Sequence, residues 1–589
     1  MPAGGPGCAA VSAPGAGGGF RPKFLGGNPE FAWHAALILT LLASGLAVVF
    51  NLDVAKDVAG FYARETREFA AGRWPLAFFP YTPPLMVALA GPLAWLGLEP
   101  YTAVKSVSAF FYVAALWPLR ALLRQLVPAA LVGWGCLLYA VNSHLIRFMT
   151  GGLLDPLKTF FLLCLAALLA GLLRRPEPAG TDGPGWRWGL ALGAALGGLC
   201  LCRAEGAFFA LPWLAVPLLW PCHGAWHRGG WPAAVRRGVG VTAVALGVCL
   251  CLCLPRLVQV YRLTGIPALD YRQTVKIQKV LAAAGLAVPP APTKGEDEIA
   301  GLPFRPDFKE SDHRTWKRSV LETYKGFTFW GLALSAVGLL WRGGRLRLAA
   351  APAPLPLGRA DVLLGALLLF NVLLFASNGF IIKRYVAPTL PLLLPWMVMG
   401  VYFLKVAVLD RLRPWLFPVL AVAFCAGNYL NGLRLIRYVH PQPMLFPYDV
   451  GQWIAANRDW LTPPGSEPRA ADFRIKEIQD GRLPVLAATT PQYAFWAAAD
   501  YHRLQGNYVI SPERLGALIR RHRSQLLVAD ADFHRACPGF TGREPWVEKV
   551  PNVPFQELTL YRIRRAALPA AAVAAESAAG AATGDRDQK

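Results

Sequence analysis

The stretch NLDVAKDVAGFYARETREFAAGRWPLAFFPYTPP, running from Asn51 to Pro84, follows directly on the first long apolar segment of the chain. It sets two acids, Asp53 and Asp57, a few residues beyond what reads as a membrane span. From Asp57 onward, Val58, Phe61, Tyr62, Glu65 and Phe69 recur at helical spacing, which predicts an amphipathic helix lying along the membrane surface. An acid in the first turn of such a helix complements the helix dipole and sits at the water boundary. Taken alone, these residues fit an N-cap and a solvated loop with no further role, and the rest of the chain decides whether they form a site.

The 589 residues are 55% hydrophobic and 12% aromatic but only 16% charged, with a mean hydropathy of +0.37. That leaves too little polar surface for a soluble protein of this size, so the chain reads as a polytopic membrane protein. The net charge of +23 does not mark a nucleic-acid binder. Arg and Lys lie in short gaps between apolar runs, a pattern that belongs to topology and anionic headgroups, so membrane lipids are the expected partners. Most of the 11 cysteines lie inside apolar runs (Cys136, Cys164, Cys200, Cys202, Cys249, Cys251, Cys253, Cys425), where they act as small hydrophobes. No disulfide framework or CxxC metal pattern is visible, and the scattered histidines show no ligand spacing.

Residues 1–30 are rich in Gly, Pro and Ala and read as a disordered cytoplasmic tail. Arg21 and Lys23 precede the first span, 31–50, which therefore carries the chain outward. The apolar run 85–98 follows Pro83 and Pro84, contains Gly91 and Pro92, and is short for a span. It is expected to be re-entrant or interfacial, completing a first outside loop over 51–102. Further spans are expected near 103–123, 129–147, 155–173, 188–202, 205–221, 238–260, 326–341, 361–378, 385–404 and 414–432. This count of about eleven places the Arg clusters around Arg124, Arg174, Arg236, Arg345 and Arg413 inside. Residues 261–325 form a long outside loop, and 440–565 a soluble α/β domain with strands near 484–488, 525–529 and 555–562. An odd number of spans puts that domain outside. The Ala-rich tail 566–589 reads as disordered. The expected fold class is an all-α polytopic membrane bundle, multi-pass in the inner (cytoplasmic) membrane, with a small C-terminal extracytoplasmic α/β domain.

On this topology the acids after the first span share a side with Asp155, in RFMTGGLLDPLKTFF at the start of another span. Acids at the lip of a bundle are costly unless solvated, paired or metal-bound, so their convergence marks a candidate site. Asp155 precedes Pro156 and also fits a helix cap. Several charges break the positive-inside pattern: Lys383 and Arg384 in FASNGFIIKRYVAPTLPLLLP, Arg203 with Glu205 in LCRAEGAFFALPW, and Lys158. Snorkelling explains any one of them; together they would ring an anionic pocket, with guanidinium suited to phosphate oxygens. Tyr493, Phe495, Trp496 and Tyr501 are expected in the core of the C-terminal domain, with sugar stacking as the alternative.

The segment DVAGFYARETREFAAGRW followed by PYTPPL resembles the first outside loop of GT-C class membrane glycosyltransferases, in particular the protein O-mannosyltransferase and lipid A aminoarabinose transferase branch. GGLLDPLKTFF looks like that class's second acidic motif, and KRYVAPTLPLLL like its R-Y-x-x-P segment, so the resemblance covers about residues 31–435. It departs from the pattern in three places: Val58 replaces a second acid, the tyrosine is shifted to Tyr62, and Thr82 replaces the lysine of K-P-P. The resemblance implies transfer of a sugar from a polyprenyl-phosphate carrier to a protein, lipid or glycan acceptor on the outer side, with inversion. It makes Asp57 and Asp155 the catalytic candidates. Lys383, Arg384, Tyr385, Arg203, Glu205, Lys158, Tyr62 and Asp53 become the substrate-binding candidates. No cofactor is required by the pattern; a divalent metal, if held, would sit on Asp57 and Asp155. The rival reading is a transporter or lipid flippase, which would place ionisable residues near the midplane and show internal repeats; neither feature is visible.

Overall fold

The computed structural model describes residues 29–51, 57–79, 82–174, 185–203, 206, 211–218, 231–270, 273–274, 277–278, 281, 329–346, 357–377, 386–409, 413, 415–437, 445–457, 484–504 and 508–568. Most of the 261–325 loop, both tails, and Asp53, Glu205, Lys383, Arg384 and Tyr385 lie wholly or largely outside them, and the expected span 205–221 is described only at 206 and 211–218.

Apolar runs become helices because a backbone in lipid must satisfy its hydrogen bonds internally. Six described helices are long and apolar enough to cross a membrane: Glu30–Phe50, Pro100–Leu126, Asp155–Leu173, Gly238–Thr264, Ala387–Leu409 and Leu416–Arg434. Their outer faces carry bare Leu, Val and Phe, among them Leu42, Phe50, Leu250, Leu254, Val422 and Leu430, as expected for contact with acyl chains. Phe329–Arg342 and Arg359–Ser377 occupy two more of the expected positions. Leu85–Trp95 is 11 residues long, in keeping with an element that does not span.

One expected span differs. Residues 129–147 were expected as a single helix, but the chain bends by 60° between Ala129–Val141 and Ser143–Met149. Asn142 causes the break: its backbone leaves the helical region (φ −69°, ψ 113°) and its side chain accepts a hydrogen bond from Leu145 N, capping the second helix.

One close helix pairing in the bundle is written in small residues. On Gly185–Cys202, Gly189, Gly193 and Gly197 fall at every fourth position and face Trp231–Thr264. A Cβ on Gly193 would lie 2.5 Å from Ala245 O, and one on Gly189 2.9 Å from Val241 O. Only glycine lets the two backbones approach so closely, which is how helices gain packing energy where lipid offers no hydrophobic drive.

The C-terminal part is a five-stranded sheet in the order β2-β1-β3-β5-β4, with β1 Val485–Ala488, β2 Asp500–Arg503, β3 Leu526–Ala529, β4 Val547–Lys549 and β5 Thr559–Ile563. β1 pairs parallel with β2 and β3, and β5 antiparallel with β3 and β4. Alternation along the strands fills two cores. Leu486, Leu526 and Val528 pack with Val450, Ile454 and Tyr493; Ala487 and Leu527 pack with Leu515, Ile519, Phe533 and Trp546 on the other face. This domain sits against the 51–84 stretch. Arg64 donates to the Asp500 carboxylate at 2.8 Å, both side chains being buried. Tyr101 meets the edges of Phe495 and Trp496, and Pro491 lies against Gly60.

Two substitutions test these contacts by thermal unfolding in detergent. Gly193→Ala should cost about 1–3 kcal/mol through overpacking, whereas Gly247→Ala, on the partner helix with nothing within 4 Å of the added Cβ, should cost nothing comparable. Asp500→Ala, which strands the Arg64 guanidinium, should cost about 3–5 kcal/mol and expose the strands to protease earlier than in the parent protein.

Candidate active site at the Asp57 end of the bundle

Asp57 opens the wide helical turn Val58–Tyr62 with helical backbone angles (φ −68°, ψ −33°), and its side chain makes no capping hydrogen bond. The capping account of this acid therefore does not hold. Asp155 is fully buried and lies 3.7 Å from an Arg203 guanidinium nitrogen. Its main-chain carbonyl accepts from Thr159. The side chain thus faces charge, while the main chain of the same residue serves its helix.

The two acids belong to one packed end of the molecule. Val58, next to Asp57, and Leu154, next to Asp155, share a single buried cluster with Tyr62, Val104, Leu157 and Cys202. Gly152 makes that approach workable. At φ +76° it turns the chain into the Asp155 helix, and a Cβ there would stand 3.3 Å from Val104 and 3.5 Å from Val58. Arg203, directly after Cys202, lies beside Asp155, and Lys158 follows Asp155 by three residues on the same helix. Lys158 also reaches into the bundle, donating to Asn371 Oδ1 at 2.9 Å. Tyr62 is buried in the cluster.

A second polar group, absent from the expected set, borders the first. The Arg256 guanidinium, buried on the long Trp231–Thr264 helix, donates to the carbonyls of Phe78, Phe79, Thr82 and Leu269 and to Gln259 Oε1, at 2.6–3.0 Å. The Thr82 hydroxyl in turn donates to the Glu65 carboxyl. Thr82 is where the family pattern has a lysine, and the cation at this place comes instead from a helix distant in sequence. The available signal was a lone Arg directly after Pro255 in an apolar run, since an intramembrane charge marks a site by default. Beside this group runs an apolar groove of 620 Å³, lined among others by Trp74, Phe78, Leu85, Leu201, Leu252 and Arg262. Its wall at Leu201 is two residues from Arg203. Of the aromatics considered for sugar stacking, Tyr493, Phe495 and Tyr501 are buried and serve packing.

Glu65 is fully buried, and burial pushes its carboxyl up to about 8 although the Thr82 hydroxyl and Arg256 charge favour ionisation. The folded protein then holds this proton more tightly than the unfolded chain does. The resulting stabilisation is complete below 4.5 and lost as pH rises through about 8. Glu65→Gln, neutral at every pH, should remove this dependence: between pH 4.5 and 8 the parent protein's thermal midpoint should fall relative to the variant's. Parallel curves would mean that Glu65 is not held protonated.

No protein family's sequence profile matches the chain, and no curated protein's sequence does. Solved structures do match it. The apo oligosaccharyltransferase of Archaeoglobus fulgidus superposes with a TM-score of 0.55 at 12% identity, over 85% of this chain and 69% of that one. ArnT from Cupriavidus metallidurans does so with 0.54 at 12% identity, over 92% of this chain and 100% of that one. The same ArnT bound to undecaprenyl phosphate gives 0.53 at 12% identity, over 90% and 97%. At such identities the likeness carries architecture alone. Its reach, across both the helical bundle and the C-terminal sheet, shows that this multi-pass membrane protein has a GT-C-like fold.

Proposed function

We propose that the protein is a membrane glycosyltransferase that moves a sugar from a polyprenyl-phosphate carrier to an acceptor hydroxyl on the extracytoplasmic side, with inversion at the anomeric carbon. The observation that carries this reading is the placement of Asp57 and the buried Asp155–Arg203 pair at one end of the bundle, next to an apolar groove. A lipid-linked donor has one reactive phosphate and a long hydrocarbon tail. Such a substrate calls for cations at the bundle's lip and for an apolar trough open to the bilayer. The ArnT structure bound to undecaprenyl phosphate, and the Archaeoglobus fulgidus AglB structure in complex with an inhibitory peptide and a dolichol-phosphate, belong to proteins of this fold.

The acceptor oxygen attacks the anomeric carbon from the face opposite the phosphate. The carbon–oxygen bond to the carrier breaks, and polyprenyl phosphate departs with the electron pair. Asp57 takes the acceptor proton or orients the hydroxyl. Asp155 positions the acceptor, and Arg203, with Lys383 and Arg384, meets the charge that develops on the leaving phosphate. Tyr385, Glu205, Lys158, Tyr62 and Asp53 are the further candidates for substrate contact. The donor set around Asp155 does not favour a divalent metal. Its nearby charge is the Arg203 guanidinium, and among the described residues no three carboxylates approach within ligand distance of one another. The reaction is therefore written without an ion.

Detergent-solubilised protein supplied with polyprenyl-phosphate sugars should attach sugar covalently to acceptor, which a transporter, needing a sealed membrane, would not do. Asp57→Asn should lower turnover by about 10²–10⁴-fold, the usual share of a general base, while carrier binding persists. Near-normal turnover would remove Asp57 from the mechanism.

A further inference from the structure

Cys200 is far in sequence from Cys249 and Cys253 and all three are inconspicuous among apolar residues, yet their sulfur atoms lie within 4.8 Å of one another. All three side chains are buried, at 5%, 6% and 4% exposure. The arrangement is built by the glycine stripe. Gly189, Gly193 and Gly197 bring Gly185–Cys202 onto Trp231–Thr264, with a Cβ on Gly197 only 3.5 Å from the Cys249 Cα, and Cys200 continues the same face one turn on. Across the seam, Cys249 and Cys253 are four residues apart and so lie on one face of their helix. Cys251, between them, is exposed toward lipid.

We propose that these three cysteines form a trigonal, all-sulfur site for a soft monovalent ion, Cu(I). An ion held about 2.3 Å from each of three sulfurs sets the sulfurs about 4.0 Å apart, inside the 4.8 Å that bounds the cluster. Thiolate sulfur selects Cu(I) and zinc over harder ions, but a structural zinc site wants four ligands. The cluster of described residues supplies three. Binding forms three Cu–S bonds. Two thiols give up protons to solvent and the third keeps its proton, so the site carries a single negative charge. No electron is exchanged, because the ion enters as Cu(I). Arg203 and Arg256, each three residues beyond a ligand, place positive charge one turn away. The site is independent of the proposed transfer reaction, and its readouts are not enzymatic.

The test uses full-length protein in detergent, kept anaerobic and reduced, with Cu(I) delivered against a competing chelator. The parent protein should bind one Cu(I) per chain, with an all-sulfur, three-coordinate shell by X-ray absorption. Cys200→Ser and Cys253→Ser should weaken binding at least tenfold, and Cys251→Ser should not. Equal affinity across these variants, nitrogen or oxygen ligation, or failure of the reduced protein to take up the ion would each overturn the proposal. So would formation of a disulfide within the trio in its place. Should the serine variants not fold, the absorption spectrum of the parent protein decides alone.

Discussion

A guanidinium buried at the end of a lipid-facing helix must find its acceptors in protein, because neither acyl chains nor a stranded charge can supply them. Arg256 meets this demand with four main-chain carbonyls and one side-chain amide. In doing so it fixes the Phe78–Thr82 segment to a helix that begins some 150 residues later in the chain. With that segment held, the Thr82 hydroxyl is placed on Glu65, and the amphipathic helix bearing Glu65 has a fixed seat. The same helix carries Arg64, one residue before Glu65, and its pairing with Asp500 brings in the C-terminal sheet. A chain of buried polar contacts thus runs from the membrane helices through the 51–84 stretch to the soluble domain.

The parts of this fold that follow from periodicity were readable in the residues. Apolar runs gave the spans, because lipid leaves the backbone no alternative to helix, and β1, β3 and β5 lie where β-branched and apolar residues cluster between turn signals. β2, Asp500–Arg503, was not readable: its residues are polar, and it exists because β1 offers it a parallel edge and Arg64 a partner for its first side chain. The bend at Asn142 was hidden for a different reason. One polar residue in an apolar run does not break a pattern, but its side chain can cap the helix that follows it.

The candidate site divides along the same line. Asp57 and Asp155 were visible because acids at span ends are rare, and their neighbours Val58 and Leu154 pack in one buried cluster. Arg256 was not singled out, since a cation inside a long span resembles one snorkelling from its end. The cysteine trio was invisible to spacing rules altogether, because it depends on which helix faces which. The glycines at every fourth position of Gly185–Cys202 were the one trace of that choice in the residues.

The Asp155–Arg203 pair raises the question of why a bundle so apolar keeps charge at its lip. Stability is a poor answer, since desolvating two ions commonly costs as much as their attraction returns, and well-packed apolar residues do as well or better. At 3.7 Å the pair is also wider than a direct hydrogen bond. On the proposed function, the substrate's charged group would meet Arg203 here, while Asp155 begins its helix. Asp500 makes the contrast: buried to the same degree, it holds Arg64 at 2.8 Å and closes its contact. The Arg64 pair joins two parts of the molecule, whereas the Asp155 pair, on the proposed function, is the one that serves the substrate.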